Sequence, residues 1–216
     1  MTARIESLLL CLALALSGAA FAQDIDGLKA RAGGGDKTAM RLLAETYFEN
    51  QEFAPAAQWY EKAAKAGDKK AQTSLGLMYA RGYGVEKNLA TARKWWMLAA
   101  LQNDPGAQYD LGNLYFSGEG IKQDYGEAAR WYREAARRGH IQAQENLAMM
   151  YFDGKGVEKN IPQAYYLIKL AVLQGDEEAA ATLKKLAPYL TAEQIRAANA
   201  KADDWFNSGK KIWQEE

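Results

Sequence analysis

A 36-residue pattern occurs three times between Gly67 and Gln174, and it constrains the fold more than any other feature of the sequence. The copies come into register when Ala71, Ala107 and Ala143 are aligned. Other residues then recur at matching positions: Leu75, Leu111 and Leu147; Tyr79, Tyr115 and Tyr151; Gly82, Gly118 and Gly154; Gly84, Gly120 and Gly156; Ala92, Ala128 and Ala164; Trp95, Trp131 and Leu167. A period of this length is typical of stacked arrays, in which each unit buries its apolar face against its neighbours. The sequence therefore predicts a repeat architecture.

Within each copy the apolar residues follow a helical period. Ala71, Leu75 and Tyr79 are spaced four residues apart, which places them on one face of a first helix, helix A. Ala92, Trp95 and Ala99 form the corresponding face of a second helix, helix B. We therefore expect an all-α fold, a right-handed α/α solenoid of helix pairs with capping helices at both ends. Trp95 and Trp131 are expected to be buried between the helices of their own repeats.

Glycines and short polar residues are expected to mark the helix ends. The connection between helices A and B holds two glycines, at positions where a positive φ is tolerated best by glycine. Helix B is expected to end at a left-handed residue in each repeat: Gly67, Asn103, Gly139 and Gly175. The predicted N-caps are Asp36, Asp68, Asp104 and Asp176 for helix A, and Asn88, Asp124 and Asn160 for helix B, with Asp124 and Glu127 forming a capping box.

These signals define a domain organisation. Residues 23–208 are expected to form the solenoid, with repeats at about 35–66, 67–102, 103–138 and 139–174. The first of these lacks the glycine pair and is closer to a plain tetratricopeptide unit. A C-terminal capping pair is predicted over 175–208, and residues 209–216 are expected to form a tail.

The first 22 residues have the pattern of a secretory signal peptide. Arg4 precedes an apolar run over 8–16, and Ala20-Phe21-Ala22 resembles a cleavage site. The run is about half the ~20 residues that span a bilayer, so we expect cleavage and no membrane anchor. The single cysteine, Cys11, lies in this run, and the mature chain is therefore expected to have no disulfide. A periplasmic or secreted location is predicted.

The sequence contains few residues that could form a catalytic or metal-binding site. Lys and Arg balance Asp and Glu at 27 each, so nothing indicates binding of nucleic acid. The only histidine, His140, occupies a position where the other copies have Asp, and we interpret it as a helix cap; the alternative is a general base. Adjacent acidic pairs point in different directions on a helix and do not converge on a substrate. We predict no catalytic residue, no metal site and no cofactor.

A second stripe on helix A varies in chemistry between the repeats, and it is the candidate binding surface. In solenoids the A helices line a concave groove, and mixed aromatic and polar side chains there suit a peptide or a helix. The predicted groove residues are Arg41, Glu45 and Phe48; Thr73 and Leu77; Tyr109, Asn113 and Phe116; and Glu145, Met149 and Phe152. The alternative is that the Phe side chains only pack between A helices. Tyr109 and Asn113 are expected to dominate binding, with Tyr109→Ala leaving thermal stability nearly unchanged.

The motif Ala-x3-Leu-Gly-x2-Tyr, Gly-x-Gly-Val, Ala-x2-Trp and Ala-Ala resembles the Sel-1-like repeat family, which is related to tetratricopeptide proteins. This resemblance implies a non-enzymatic adapter that binds another protein or peptide and is often exported in bacteria; we expect it to be monomeric. Two other functions stay open. Cysteine-rich relatives have been linked to β-lactam or cell-wall binding, although this chain lacks their cysteine pairs, and a regulator of a membrane sensor is the third possibility.

Overall fold

The computed structural model describes residues 25–209, and throughout this part the chain is helical or in short connections. The predicted signal peptide and most of the predicted tail lie outside the described residues. The helices are α1 (25–33), α2 (Lys37–Glu49), α3 (Phe53–Lys65), α4 (Lys69–Arg81), α5 (Leu89–Leu101), α6 (Pro105–Ser117), α7 (Tyr125–Arg137), α8 (Ile141–Asp153), α9 (Ile161–Leu173), α10 (Glu177–Leu186) and α11 (Ala192–Asn207), with a 3-10 turn at Ala187–Tyr189. The all-α prediction is confirmed.

The chain divides between Asn88 and Leu89 into two compact units. In the first unit α3 packs on both α2 and α4, and Leu28 and Ala32 of α1 pack against Ala39 and Leu43 of α2. In the second unit each helix from α5 to α10 packs against the next one, and α11 packs on α9. Helices α2, α4, α6 and α8 are the A helices of successive repeats, and α3, α5, α7 and α9 are the B helices.

The predicted apolar stripes form the core. The first two positions of the A stripe are almost completely buried in every copy (Ala71, Leu75, Ala107, Leu111, Ala143, Leu147), whereas the Tyr positions are half-buried. Trp131 is buried as predicted. The prediction for Trp95 is wrong, because Trp95 is half-buried and its neighbour Trp96 is buried instead. In helix α5 the apolar residues surround the axis, so the spacing did not decide which tryptophan faces inward.

The position of Trp96 is a core position in every repeat. The corresponding residues, Tyr60, Tyr132 and Ile168, are all buried. In the third repeat the ring of Tyr132 fills the space beside Gly112, where an added Cβ would lie 2.5 Å from the ring. The small residue on α6 therefore lets α7 approach closely.

The helix ends follow the predicted chemistry. Asp36, Asp68, Asp104 and Asp176 each accept a hydrogen bond from the backbone N–H three residues further on, at 2.9–3.1 Å. His140 does the same through Nδ1, at 3.3 Å from the Ala143 nitrogen, so the interpretation of His140 as a helix cap is confirmed. Asp124 caps α7 by accepting a hydrogen bond from the Glu127 N–H, as predicted. The Glu127 carboxylate binds Arg130 at 2.7 Å and does not complete the predicted capping box.

A ladder of buried glutamines joins successive repeats, and the sequence reasoning did not find it. Gln72, Gln108 and Gln144 are at most 4% exposed. Each side-chain amide donates to a carbonyl oxygen eight residues earlier, in the last turn of the preceding B helix, at 3.1–3.2 Å. Carbonyl groups at the end of a helix have no partner within that helix. Each of these carbonyls also accepts from the backbone N–H three residues further on, so the glutamine supplies a second hydrogen bond inside the core.

Candidate binding groove

In the first unit the predicted groove residues are mostly engaged in local contacts. The Arg41 guanidinium lies 2.5 Å from Glu45 and 3.4 Å from Asp68, the cap of α4. Phe48 packs edge-on against Phe53 and Tyr83, with ring centroids 5.2 and 5.9 Å away. The Thr73 hydroxyl donates to the carbonyl of Lys69, and Leu77 is 38% exposed.

In the second unit three predicted residues, Asn113, Phe116 and Met149, line one cavity of about 230 Å³. This cavity lies between α6 and α8. The Tyr132 hydroxyl donates to Asn113 Oδ1 at 2.7 Å, and Asn146 contacts the same oxygen at 3.5 Å. Burial raises the pKa of the Tyr132 hydroxyl far above its ordinary value of 10.0, so the group is a neutral hydrogen-bond donor. The polar groups of this wall are therefore fixed in orientation.

A second cavity, of about 290 Å³, adjoins the first between α8 and α10. Its apolar wall consists of Ala148, Met149, Phe152, Ile168, Leu186 and Tyr189. Phe152 packs edge-on against Tyr189, with ring centroids 5.7 Å apart. Met149 and Asp153 line both cavities. We call the two adjoining cavities the Met149 groove.

Two predicted residues, Tyr109 and Glu145, lie one helical turn away from this groove, beside the cap of the next A helix. The Tyr109 ring stacks on the His140 ring with centroids 4.5 Å apart. Burial and the carboxylates of Asp176 and Glu178 raise the pKa of Glu145. Because Tyr109 packs on a capping residue, its removal should also lower thermal stability, contrary to the sequence-based expectation.

Three lysines surround the Met149 groove. Lys155 Nζ lies 5.2 Å from the ring centroid of Tyr125 and 5.6 Å from that of Phe116. Lys159 Nζ lies 5.2 Å from the ring centroid of Phe152, and Lys185 lines the second cavity. Positive charge is thus concentrated at one end of α8.

The sequence-based prediction included only four of the 15 residues that line the groove. Ile168 belongs to a B helix, and Thr182, Lys185, Leu186 and Tyr189 belong to the C-terminal capping segment, which breaks the repeat pattern. None of these five residues carried a sequence signal for a groove, because single apolar residues at a protein surface, such as the exposed Tyr189, are common.

Residues 25–209 hold neither a metal-binding cluster nor a membrane span. No group of three or more His, Cys, Asp or Glu side chains that could hold a metal ion occurs in this range. None of the helices in the same range combines the length and the apolar character needed to cross a bilayer.

The repeated helix pairs, the glycine connections and the alanine-lined core define the class of α-solenoid repeat proteins. The Sel1 repeat model matches four consecutive segments, residues 38–68, 69–104, 105–140 and 141–176. The chain therefore belongs to the Sel1 repeat family.

Solved structures of other repeat proteins are similar to this chain. A protective antigen of uropathogenic Escherichia coli with an SLR fold is 28% identical, with a TM-score of 0.76 over 89% of this chain and 44% of the antigen. This chain thus spans less than half the length of that protein. A Sel1 repeat protein from Oxalobacter formigenes is 33% identical, with a TM-score of 0.66 over 81% of this chain and 75% of the relative. Cysteine-rich protein B from Helicobacter pylori is 26% identical, with a TM-score of 0.51 over 61% of this chain and 95% of the other. No curated protein sequence matches the chain significantly.

Membership of the family has a general functional meaning. Sel1 repeat proteins generally mediate protein–protein interactions and are generally non-enzymatic. The usual binding partners of this family are thus other proteins.

Proposed function

We propose that this chain is a non-enzymatic protein-binding module of the bacterial cell envelope, and that it holds a peptide or helix of a partner protein in the Met149 groove. One observation carries the proposal. The apolar side chain of Met149 is 63% exposed, and it lies between two open cavities whose walls are mostly apolar. A flexible apolar side chain in this position adapts readily to different ligand shapes, and aromatic and Met residues are enriched where proteins bind each other.

The shape and the polar groups of the groove suit a side chain that inserts from a ligand. The second cavity has room for one large apolar side chain, and burial of such a side chain is worth about 1.5–3 kcal/mol. Asn113 and Asn146 line the adjoining first cavity, where their amide groups can pair with the backbone of an extended peptide or with polar groups of a helix.

The envelope location rests on the sequence of residues 1–22, with its apolar run and its small-residue cleavage motif. The family relationship supports the choice of a protein as partner. The balanced charge of the chain gives no reason to expect nucleic acid. We propose that the mature protein acts as a monomer in the periplasm or outside the cell.

A displayed library of random 12-residue peptides, selected against immobilised mature protein, tests the proposal. We expect peptides that bind the wild type and lose at least about tenfold in affinity with Met149→Asp, since a charge would have to be buried with the ligand. The matched control is Leu101→Asp on α5, because Leu101 is also apolar and 71% exposed but lies outside the groove. Both variants should melt like the wild type. The proposed function would be contradicted by peptides whose affinity falls with Leu101→Asp but not with Met149→Asp. A library that yields no binding peptide would also contradict it.

A further inference from the structure

The charges around the Met149 groove are unbalanced, although the whole chain is neutral. Lys and Arg number 27 and Asp and Glu number 27 over the full sequence. Among the described residues that line the two cavities, Lys155 and Lys185 are basic and Asp153 is the one acid, and Lys159 lies over the ring of Phe152. The groove therefore has a local excess of positive charge that the balanced total of the chain does not show.

The three lysines are not used by the fold in ion pairs. Within residues 25–209 none of their ammonium groups forms a salt bridge, and all three side chains are exposed. Lys155 and Lys159 instead lie over the faces of groove aromatics, at 5.2–5.6 Å from the ring centroids. An ammonium group in such a place is attracted to the ring but keeps its hydrogen-bond donors available to a ligand.

The opposite end of α8 has the opposite sign. Glu145 lies on the same stripe four residues before Met149, about 6 Å along the helix, and it interacts with the carboxylates of Asp176 and Glu178. Acidic groups of a ligand would be repelled at this end. They are favoured only at the end that holds Lys155, Lys159 and Lys185.

We propose that the Met149 groove selects peptides in which a large apolar side chain is flanked on one side by carboxylates. The apolar side chain enters the cavity lined by Phe152, Leu186 and Tyr189, and the carboxylates pair with Lys155, Lys159 and Lys185. This inference rests on the proposed function, because it names the ligand chemistry of the same groove. Complementary charge fixes the orientation of the bound peptide and provides specificity, while the apolar contact supplies most of the affinity.

The test uses the Met149-dependent peptides from the display experiment. Synthetic labelled peptides are prepared in matched pairs, with Glu and Asp in one member and Gln and Asn in the other, and their affinity is measured by fluorescence anisotropy. The protein variants are Lys155→Gln, Lys185→Gln and the double substitution. Lys184→Gln is the control, since Lys184 is exposed on the same helix, about 100° around it from Lys185.

We expect acidic residues to be enriched beside the apolar anchor. Each groove lysine substitution should weaken binding of the acidic peptide about threefold, and the double substitution about tenfold. Lys184→Gln should have no effect, and the amide peptide should bind equally to all variants. The affinity of the acidic peptide should also fall as salt is raised.

The failures of the two proposals are distinguishable. Met149-dependent peptides whose affinity is the same for acidic and amide forms, or higher for basic forms, overturn the charge preference and leave the groove as the binding site. Peptides with acidic residues that respond equally to Lys184→Gln also overturn it, because the attraction would then be nonspecific. Absence of any Met149-dependent peptide overturns both proposals.

Discussion

At the scale of single residues, His140 shows how one substitution in a repeat changes the physical behaviour of a helix cap. The other described A-helix caps from α2 onward are Asp side chains, which accept the N–H through a carboxylate oxygen. His140 accepts the Ala143 N–H through Nδ1 only while the imidazole is neutral. Burial lowers the pKa of His140 below its ordinary value of 6.5, although the Asp104 carboxylate opposes this shift.

Stability should therefore fall in acid through His140. Because the folded-state pKa is lowered, the unfolded chain takes up this proton first as the pH decreases. The free energy of unfolding should decline from about pH 6.5 down to the folded-state pKa and then level off, by roughly 1 kcal/mol if the loss equals that of an N-cap. Denaturant unfolding of wild type and His140→Asn between pH 7.5 and 4.5 measures this difference.

His140→Asn keeps a capping side chain and removes the titration, so the difference between the two proteins isolates the histidine. Equal pH profiles for both proteins would show that the cap does not depend on the neutral imidazole.

The two tryptophans at equivalent positions, Trp131 and Trp95, provide a second test at the residue scale. Trp131 is 5% exposed, whereas Trp95 is half-buried. Trp131→Ala should destabilise the fold by roughly 3–5 kcal/mol, the usual loss on emptying a buried aromatic site. Trp95→Ala should cost clearly less, because part of the ring is already in contact with water. Urea unfolding of both variants measures the two values, and a Trp95→Ala loss as large as that of Trp131→Ala would contradict this difference in burial.

At the scale of structural elements, the glycine pairs join repeats as well as helices. All six glycines of the three pairs have positive φ, as the sequence predicts. The second glycine has an additional role in two of them. A Cβ on Gly84 would lie 2.2 Å from the Phe53 carbonyl oxygen, and one on Gly156 would lie 2.3 Å from that of Tyr125. Each of these glycines thus lets its connection lie directly against the start of the preceding B helix.

Gly156→Ala should consequently destabilise the fold more than a substitution that only places a non-glycine residue at positive φ. Gly175 is the matched control, since it has φ of +94° but no atom within 4 Å of the point that a Cβ would occupy. Gly175→Ala should cost about 1–2 kcal/mol for the left-handed conformation. Gly156→Ala should cost about 1–3 kcal/mol more, because backbone must move to admit the methyl group. Thermal unfolding of both variants compares them, and equal losses would mean that the connection moves freely away from Tyr125.

At the scale of the whole molecule, the proposed binding function and the alternative cell-wall or β-lactam activity make different predictions. A Ser or Cys nucleophile is commonly activated by a neighbouring base such as a histidine. The only histidine uses Nδ1 as a helix cap, and the only cysteine lies in the predicted signal peptide. The proposed binding function predicts no turnover of a chromogenic β-lactam and no release of peptidoglycan fragments by the mature protein. Turnover that survives purification and disappears in His140→Asn would contradict the non-enzymatic function.

The helices, their ends and most of the repeated core were predictable from the sequence, because local physics is sufficient for these features. A four-residue spacing of Ala, Leu and Tyr specifies one helical face, an Asp three residues before a buried Ala specifies a cap, and a paired glycine specifies a connection. Each signal is repeated along the chain, so the copies support one another. The predicted stripe also contained Asn113, Phe116, Met149 and Phe152, the four members that the structure places on the walls of the Met149 groove.

Which stripe residues share a cavity, and what surrounds them, depends on tertiary packing. Tyr109 and Glu145 have the same helical phase as the groove residues, but they lie beside the cap of the next helix, a relationship between repeats that no local spacing records. Lys185 and Tyr189 come from a capping segment outside the repeat pattern. The glutamine side chains bind backbone carbonyls. Every residue has such a carbonyl, so the sequence gives no signal of which one is the partner. Helical period fixes the direction of a side chain, whereas the packing of neighbouring helices fixes what it meets.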